Sequence, residues 1–204
     1  MADHGIPLRE QDADADPLGQ FRSWFADARA AGVREPEAMA LASASPSGSP
    51  SVRMVLCKAF DELGFVFFTN YESRKGRELT ENPQAALLFH WDPLGRQVRI
   101  EGPVERVTVE ESAAYARSRP RGSQLSALAS PQSRTVASRA ELERAVAELE
   151  VRLADGEVPL PSTWGGFRLI PQSFEFWQQR SDRLHDRLLY RRDEGGWQIE
   201  RLAP

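Results

Sequence analysis

Four clusters in this 204-residue chain set cations among apolar or aromatic residues, a placement that calls for an anionic partner. The first, RMVLCK, runs from Arg53 to Lys58 and brackets an apolar strand with two cations. Such cations must sit at a strand end, in solvent or on an anion. Positions five apart face opposite sides of a regular strand, so serving one ligand together requires a bulge or a ligand wrapped around the strand end. In the second cluster, TNYESRKGREL, Ser73 can cap a short helix whose first turn holds Arg74 and Lys75. Cations there oppose the helix dipole. A phosphate would resolve the conflict by recruiting free backbone N–H groups, the dipole and both side chains; an exposed basic turn is the alternative.

The third cluster is Tyr115, Arg119 and Ser123, spaced by four and four, so that a phenol, a guanidinium and a hydroxyl share a helical face. All three can donate to a phosphate. Pro120 and Gly122 break the helix, which puts Arg119 at its end and Ser123 on the following loop. The fourth, FEFWQQRSDRLHDR, is the most specific. In an extended segment Arg183, His185 and Arg187 fall on one face, with Leu184 and Asp186 on the other. Two guanidiniums and an imidazole side by side are a poor choice for a core, and an anionic ligand explains them better.

The elements that must carry these clusters follow from texture. Residues 1–15 hold few apolar groups and are expected to form a mobile tail. Asp16 and Pro17 open a first helix with an apolar stripe of Leu18, Phe21, Trp24 and Phe25, and Gly32 stops it. From Ala38 onward AMALASAS, SVRMVLCKAF, GFVFFTN, QAALLFHW and RQVRIEGPVERV read as strands, with SPSGSP and DELG as hairpin breaks. Their connections are too short for parallel crossovers, apart from a helical turn or two in SRKGRELTENP. Residues 108–156 are a helical insertion with capping boxes at Thr108/Glu111 and Ser138/Glu141 and a stripe of Leu142, Val146, Leu149 and Leu153. FRLI, SFEFWQQ, HDRLLYRR and WQIERL then return to strand. The class is α+β: an antiparallel sheet or barrel with peripheral helices, in one domain over residues 16–204.

Composition removes several function classes. Net charge is −4, so there is no global positive field for non-specific nucleic-acid binding. One cysteine, Cys57, excludes an intrachain disulfide and a cysteine-built metal site, and fits the cytoplasm. No apolar run could span a bilayer, and the polar N-terminus lacks the pattern of a signal peptide. There is no G-x-G-x-x-G after a strand, no Walker loop and no G-x-S-x-G elbow, and the histidines lie too far apart for a local metal motif.

Taken together, RMVLCK, FFTNYESRKG, RQVRIEG, YARSRPRGSQ, SPQS, VPLPSTWGGFR and FEFWQQRSDRLHDR resemble the pyridoxine (pyridoxamine) 5′-phosphate oxidase family from about Asp16 to the C-terminal RLAP. The resemblance implies an FMN-binding split β-barrel, Greek-key-like, that forms a homodimer with active sites at the interface. It implies that Arg53, Met54, Val55, Leu56, Cys57, Lys58, Phe68, Thr69, Arg74, Lys75, Gln97, Gln132, Ser133, Trp177 and Arg187 hold FMN. Lys58, Tyr115, Arg119 and Ser123 would grip the substrate phosphate. Arg183, Leu184 and His185 would face the pyridine ring, with Arg183 and His185 closest to the chemistry. The implied reaction takes pyridoxine 5′-phosphate or pyridoxamine 5′-phosphate to pyridoxal 5′-phosphate, with O2 as final acceptor. The family's basic, tyrosine-containing N-terminal lid has no clear counterpart in MADHGIPLREQDADAD, where Arg9 is the only substitute on offer. Two rivals are an oxidase of the same fold acting on a larger aromatic compound such as a dihydrophenazine precursor, and a non-catalytic flavin or pyridoxal phosphate binder.

Overall fold

The computed structural model describes residues 7–204. Asp16 caps α1 (Pro17–Ala30), its carboxylate accepting from the Leu18 and Gly19 amides, and the helix buries Leu18, Phe21, Trp24, Phe25 and Ala28. Phe21 is the centre of the core, edge-on to Phe60, Phe65 and Phe89 at 4.9 to 5.0 Å between ring centres.

The strands are β1 (Ala38–Ala44), β2 (Pro50–Leu56), β3 (Ala59–Asp61), β4 (Gly64–Asn70), β5 (Gln84–Trp91), β6 (Arg96–Arg106), β7 (Trp164–Leu169), β8 (Ser173–Gln178), β9 (Asp186–Asp193) and β10 (Gly196–Arg201). Every pairing is antiparallel, in the order β10-β9-β8-β6-β5-β1-β2, while β7 joins β6 to β4 and β4 pairs with β3. The 11-residue β6 makes the turn in the sheet: Arg96–Glu101 pairs with β8 and Val104–Arg106 with β7. Between them sits Gly102, where a Cβ would run into the Ile170 carbonyl, so only glycine lets the two backbones meet. The result is the curled antiparallel barrel with peripheral helices expected from the strand texture.

Two expectations need correction. SVRMVLCKAF is two strands, since the ladder stops at Leu56 and resumes at Ala59. Residues 7–15 are docked instead of forming a free tail: Leu8 is buried in the core, its amide donates to Asp186 and its carbonyl accepts from Arg201, while Tyr190 donates to the Asp14 carbonyl. The remainder of that segment, residues 1–6, lies outside the described residues.

The helical insertion resolves into α3 (Val109–Ser118), α4 (Arg121–Ala129) and α5 (Arg139–Leu153). Thr108 and Glu111 close their capping box; Ser138 accepts from the Glu141 amide, but the Glu141 carboxylate takes the Ala137 amide. Leu149 joins Leu125 and Val158 in a small satellite core. The helix in SRKGRELTENP is α2 (Arg74–Glu81), capped by Ser73 as its sequence requires.

Candidate active site

A cleft of about 320 Å3 opens at the β2 edge, lined by Arg53, Met54, Val55, Leu56, Lys58, Phe68, Thr69, Lys75, Tyr115, Arg119, Gln132 and Trp164. Three of the four sequence clusters thus converge. The break after Leu56 explains how Arg53 and Lys58 serve together: Lys58 has left the strand, its amide donating to Val66 of β4, so strand alternation no longer binds it.

Four cations line this cleft and no carboxylate does. Lys75 donates to Thr69 Oγ1 at 3.3 Å and to Gln132 Oε1 at 3.2 Å, and burial lowers its pKa, helped by the charge of Arg53. Arg53 is almost fully engaged: Nη1 donates to the Leu41 carbonyl and to Ser43, Nη2 to Ser51 and Glu78. Glu78 also accepts from Arg74 Nε at 2.8 Å. Burial alone would raise the Glu78 carboxyl, yet hydrogen bonds from Ser43, Ser51 and Arg74 and the charge of Arg53 bring it down to about 2. Because this folded value lies below the ordinary carboxylate range, the stabilisation is complete above about pH 4.5 and is lost as pH falls toward about 2. The expected outcome is an acid-unfolding curve, followed by circular dichroism, that Glu78→Gln flattens over that window.

Aromatic rings form the opposite wall. Phe68 stacks on Tyr115 at 4.0 Å and on Trp164 at 5.5 Å, and the Arg119 guanidinium lies 5.0 Å from the Trp164 ring centre. Sequence reasoning missed Trp164, although it opens the Trp-Gly-Gly run whose glycines make this wall possible. A Cβ at Gly166 would sit 2.7 Å from Val107 and 2.9 Å from the Phe68 ring. Gly166→Ala should therefore destabilise the protein by about 1–3 kcal/mol, measured by urea unfolding, as overpacking of a tight site does.

Other expected residues lie elsewhere. Cys57 turns into the core, 5% exposed, and burial pushes its thiol up to about 12, so it contributes no side chain to the cleft. Arg74 and Ser133 flank the cleft without lining it, and Ser123 lies in the first turn of α4, not on a loop. Gln97, Trp177 and Arg187 form one in-register row across β6, β8 and β9. His185 packs on Trp177 at 4.6 Å between ring centres, and its Nδ1 accepts from the Arg180 amide. Arg183 and Leu184 are exposed beside it, and Arg183 departs from the extended form expected of it: Asp182 and Arg183 have φ of 54° and 61°. None of these residues lines the cleft. Three strands, β6, β5 and β1, stand between β8 and β2, which is about 19 Å along the sheet at ordinary strand spacing. The candidate residues therefore fall into two sets at separate places on the chain.

On β2, Met54, which lines the cleft, and its neighbour on the same face Val52 are 65% and 68% exposed. Among the described residues no helix is long and apolar enough to cross a membrane, and no group of His, Cys, Asp and Glu could hold a metal ion.

Comparisons with known proteins place the chain in a family. Residues 25–152 match a family described as pyridoxamine 5′-phosphate oxidase, and residues 164–204 match a pyridoxine 5′-phosphate oxidase C-terminal dimerisation region. The pyridoxine/pyridoxamine 5′-phosphate oxidase of Rubrobacter xylanophilus is 57% identical over 97% of this chain and 91% of its own. The structure of PhzG from Burkholderia lata 383, in complex with tetrahydrophenazine-1-carboxylic acid, superposes with a TM-score of 0.93 at 35% identity over both whole chains. A pyridoxamine 5′-phosphate oxidase-related, FMN-binding protein of Nostoc punctiforme shares the fold, with a TM-score of 0.71 at 17% identity over 98% of this chain and 100% of its own.

Proposed function

The chain belongs to the pyridoxamine 5′-phosphate oxidase family, and from that premise we propose that it oxidises pyridoxine 5′-phosphate and pyridoxamine 5′-phosphate to pyridoxal 5′-phosphate, in biosynthesis and salvage of that cofactor. The observation that carries the reading is the cleft with four cations, no carboxylate and an aromatic wall, a donor set that suits two phosphorylated ring compounds. When bound, FMN would supply two-electron redox chemistry between the substrate's exocyclic carbon and O2, which leaves as H2O2; with the amine substrate, water takes the place of the nitrogen, which leaves as ammonia.

The chain's own work is positioning. In this reading Arg53 to Lys58, Phe68, Thr69, Arg74, Lys75, Gln132 and Ser133 hold FMN, without the Cys57 side chain. Lys58, Tyr115, Arg119 and Ser123 hold the substrate phosphate. The second set, Gln97, Trp177, Arg183, Leu184, His185 and Arg187, reaches that cleft from a second copy of the chain. The C-terminal dimerisation region and the bare Met54 and Val52, on and beside the cleft lining, support a shared site. Since His185 Nδ1 already accepts a hydrogen bond, the neutral imidazole carries its proton on Nε2 and offers it as a donor to a polar substituent of the ring. A cytoplasmic setting accords with the lone, buried Cys57.

The test is an anaerobic titration of FMN-loaded protein with pyridoxine 5′-phosphate, followed by air. Bleaching of the oxidised flavin that recovers with oxygen, together with pyridoxal phosphate formation, is the expected result. A second reading, a larger aromatic acid as substrate, is favoured by the likeness to PhzG. Bleaching by a phenazine precursor and not by the phosphorylated pyridines would establish it and refute the first.

A further inference from the structure

We propose that Glu78 is a positioning residue for the cofactor phosphate: by fixing the guanidiniums of Arg53 and Arg74 it makes the site prefer FMN to riboflavin. The inference rests on the FMN reading above.

Glu78 is only 6% exposed, although it lies on α2 four residues after an arginine that is largely in solvent. Its Oε2 accepts from Ser43 at 2.6 Å, from Ser51, and from Arg53 Nη2 at 3.3 Å, while Oε1 accepts from Arg74 Nε. The local pattern does not favour the helix on its own account. Arg74 and Lys75 occupy the first turn, where positive charge opposes the dipole, and an arginine placed before its glutamate is the weaker order for an i,i+4 pair. The first arrangement disfavours α2 and the second helps it less than the reverse order would; an anion held at the N-terminus relieves the first.

Donor geometry gives the same answer. Glu78 holds Arg74 by Nε alone, which leaves Nη1 and Nη2 without a protein partner among the described residues, and two adjacent guanidinium N–H groups form the fork that grips a phosphate. Arg53 is held by four acceptors, so it cannot swing away when the site empties. Charge also matches: Arg53, Arg74 and Lys75 carry three positive charges and Glu78 one negative, leaving two against a phosphate of about −1.5 to −2 at neutral pH.

Two accounts of Glu78 predict opposite signs. If it acts only as a nearby negative charge, Glu78→Gln removes repulsion and FMN binds more tightly. If it positions the cations, the same change frees Arg53 and Arg74 and FMN binds more weakly, while riboflavin, which lacks the phosphate, is unaffected. The experiment strips flavin from the full chain and titrates it with FMN and with riboflavin, reading flavin fluorescence, for the unaltered protein, E78Q, R74A and the double variant. We expect E78Q to weaken FMN about tenfold or more, with riboflavin unchanged, and Arg74→Ala to cost less in the E78Q background than alone. Tighter or unchanged FMN, or equal weakening of both flavins, overturns the proposal. If the unaltered protein itself shows no preference for FMN over riboflavin, the cofactor reading fails and takes this inference with it. Should E78Q not fold, Glu78→Asp keeps the charge but draws the carboxylate back from both guanidiniums by one methylene; selective loss of FMN affinity supports the proposal and no change refutes it.

Discussion

Arg119→Ala should lower kcat/KM for pyridoxine 5′-phosphate by roughly a hundredfold or more, with FMN still bound, because a charge-assisted bidentate contact to the substrate phosphate is lost and nothing nearby replaces it. Arg119 sits where α3 ends and α4 begins. Its amide donates to the Ala116 carbonyl and its own carbonyl accepts from Gln124, so the backbone is anchored at a break in the helix. The guanidinium lies over Trp164 and pairs with no carboxylate among the described residues. Removing it therefore leaves no unpaired partner behind, and the fold should tolerate the change. Arg119→Lys should recover part of the loss, since it restores charge without the planar fork. Steady-state kinetics with phosphorylated and unphosphorylated pyridoxine check this. An equal loss on both substrates, or departure of the flavin, would remove Arg119 from the phosphate grip.

Much of this fold was legible because its signals are local. β4 and β5 begin and end where GFVFFTN and QAALLFHW do, since Gly64, the Asn-Pro break and the neighbouring turn bound short apolar runs. Caps at Asp16, Ser73 and Thr108 were equally readable, for an N-cap is a contact between residues two or three apart. Tertiary contacts were not. Nothing local marks Leu8 as buried, because its partners Asp186 and Arg201 lie at the other end of the chain. Nothing local marks Glu78 as buried either; the approach of Ser43 and Ser51 from a hairpin makes it a buried anion. Trp164 has a place in the cleft that no local signal gives it; it has one only because α3 sets Tyr115 and Arg119 against it. The resemblance puts Cys57 with the cofactor segment, but the end of the strand at Leu56 that frees Lys58 turns the thiol inward.

The separation of the two residue sets leads to the prediction with the clearest stoichiometry. A dimer made of one Arg119→Ala chain and one Arg183→Ala chain should regain about half the activity of the unaltered dimer, although each variant alone is nearly inactive. If the cleft of one chain is completed by the β8–β9 end of the other, a mixed dimer has one site carrying both lesions and one carrying neither. If instead both sets came from the same chain, each site would keep one lesion and no activity would return. Arg183 suits this test because its side chain is exposed and its removal leaves the core intact. Its left-handed backbone, shared with Asp182, is strain of the kind that surrounding structure maintains at functional positions. The measurement needs the two chains carrying different affinity tags, coproduction, and purification through both tags so that only mixed dimers remain. Recovery near one half assigns Arg183 to the partner's cleft. Activity no greater than that of the two parent variants would put the second set back on its own chain.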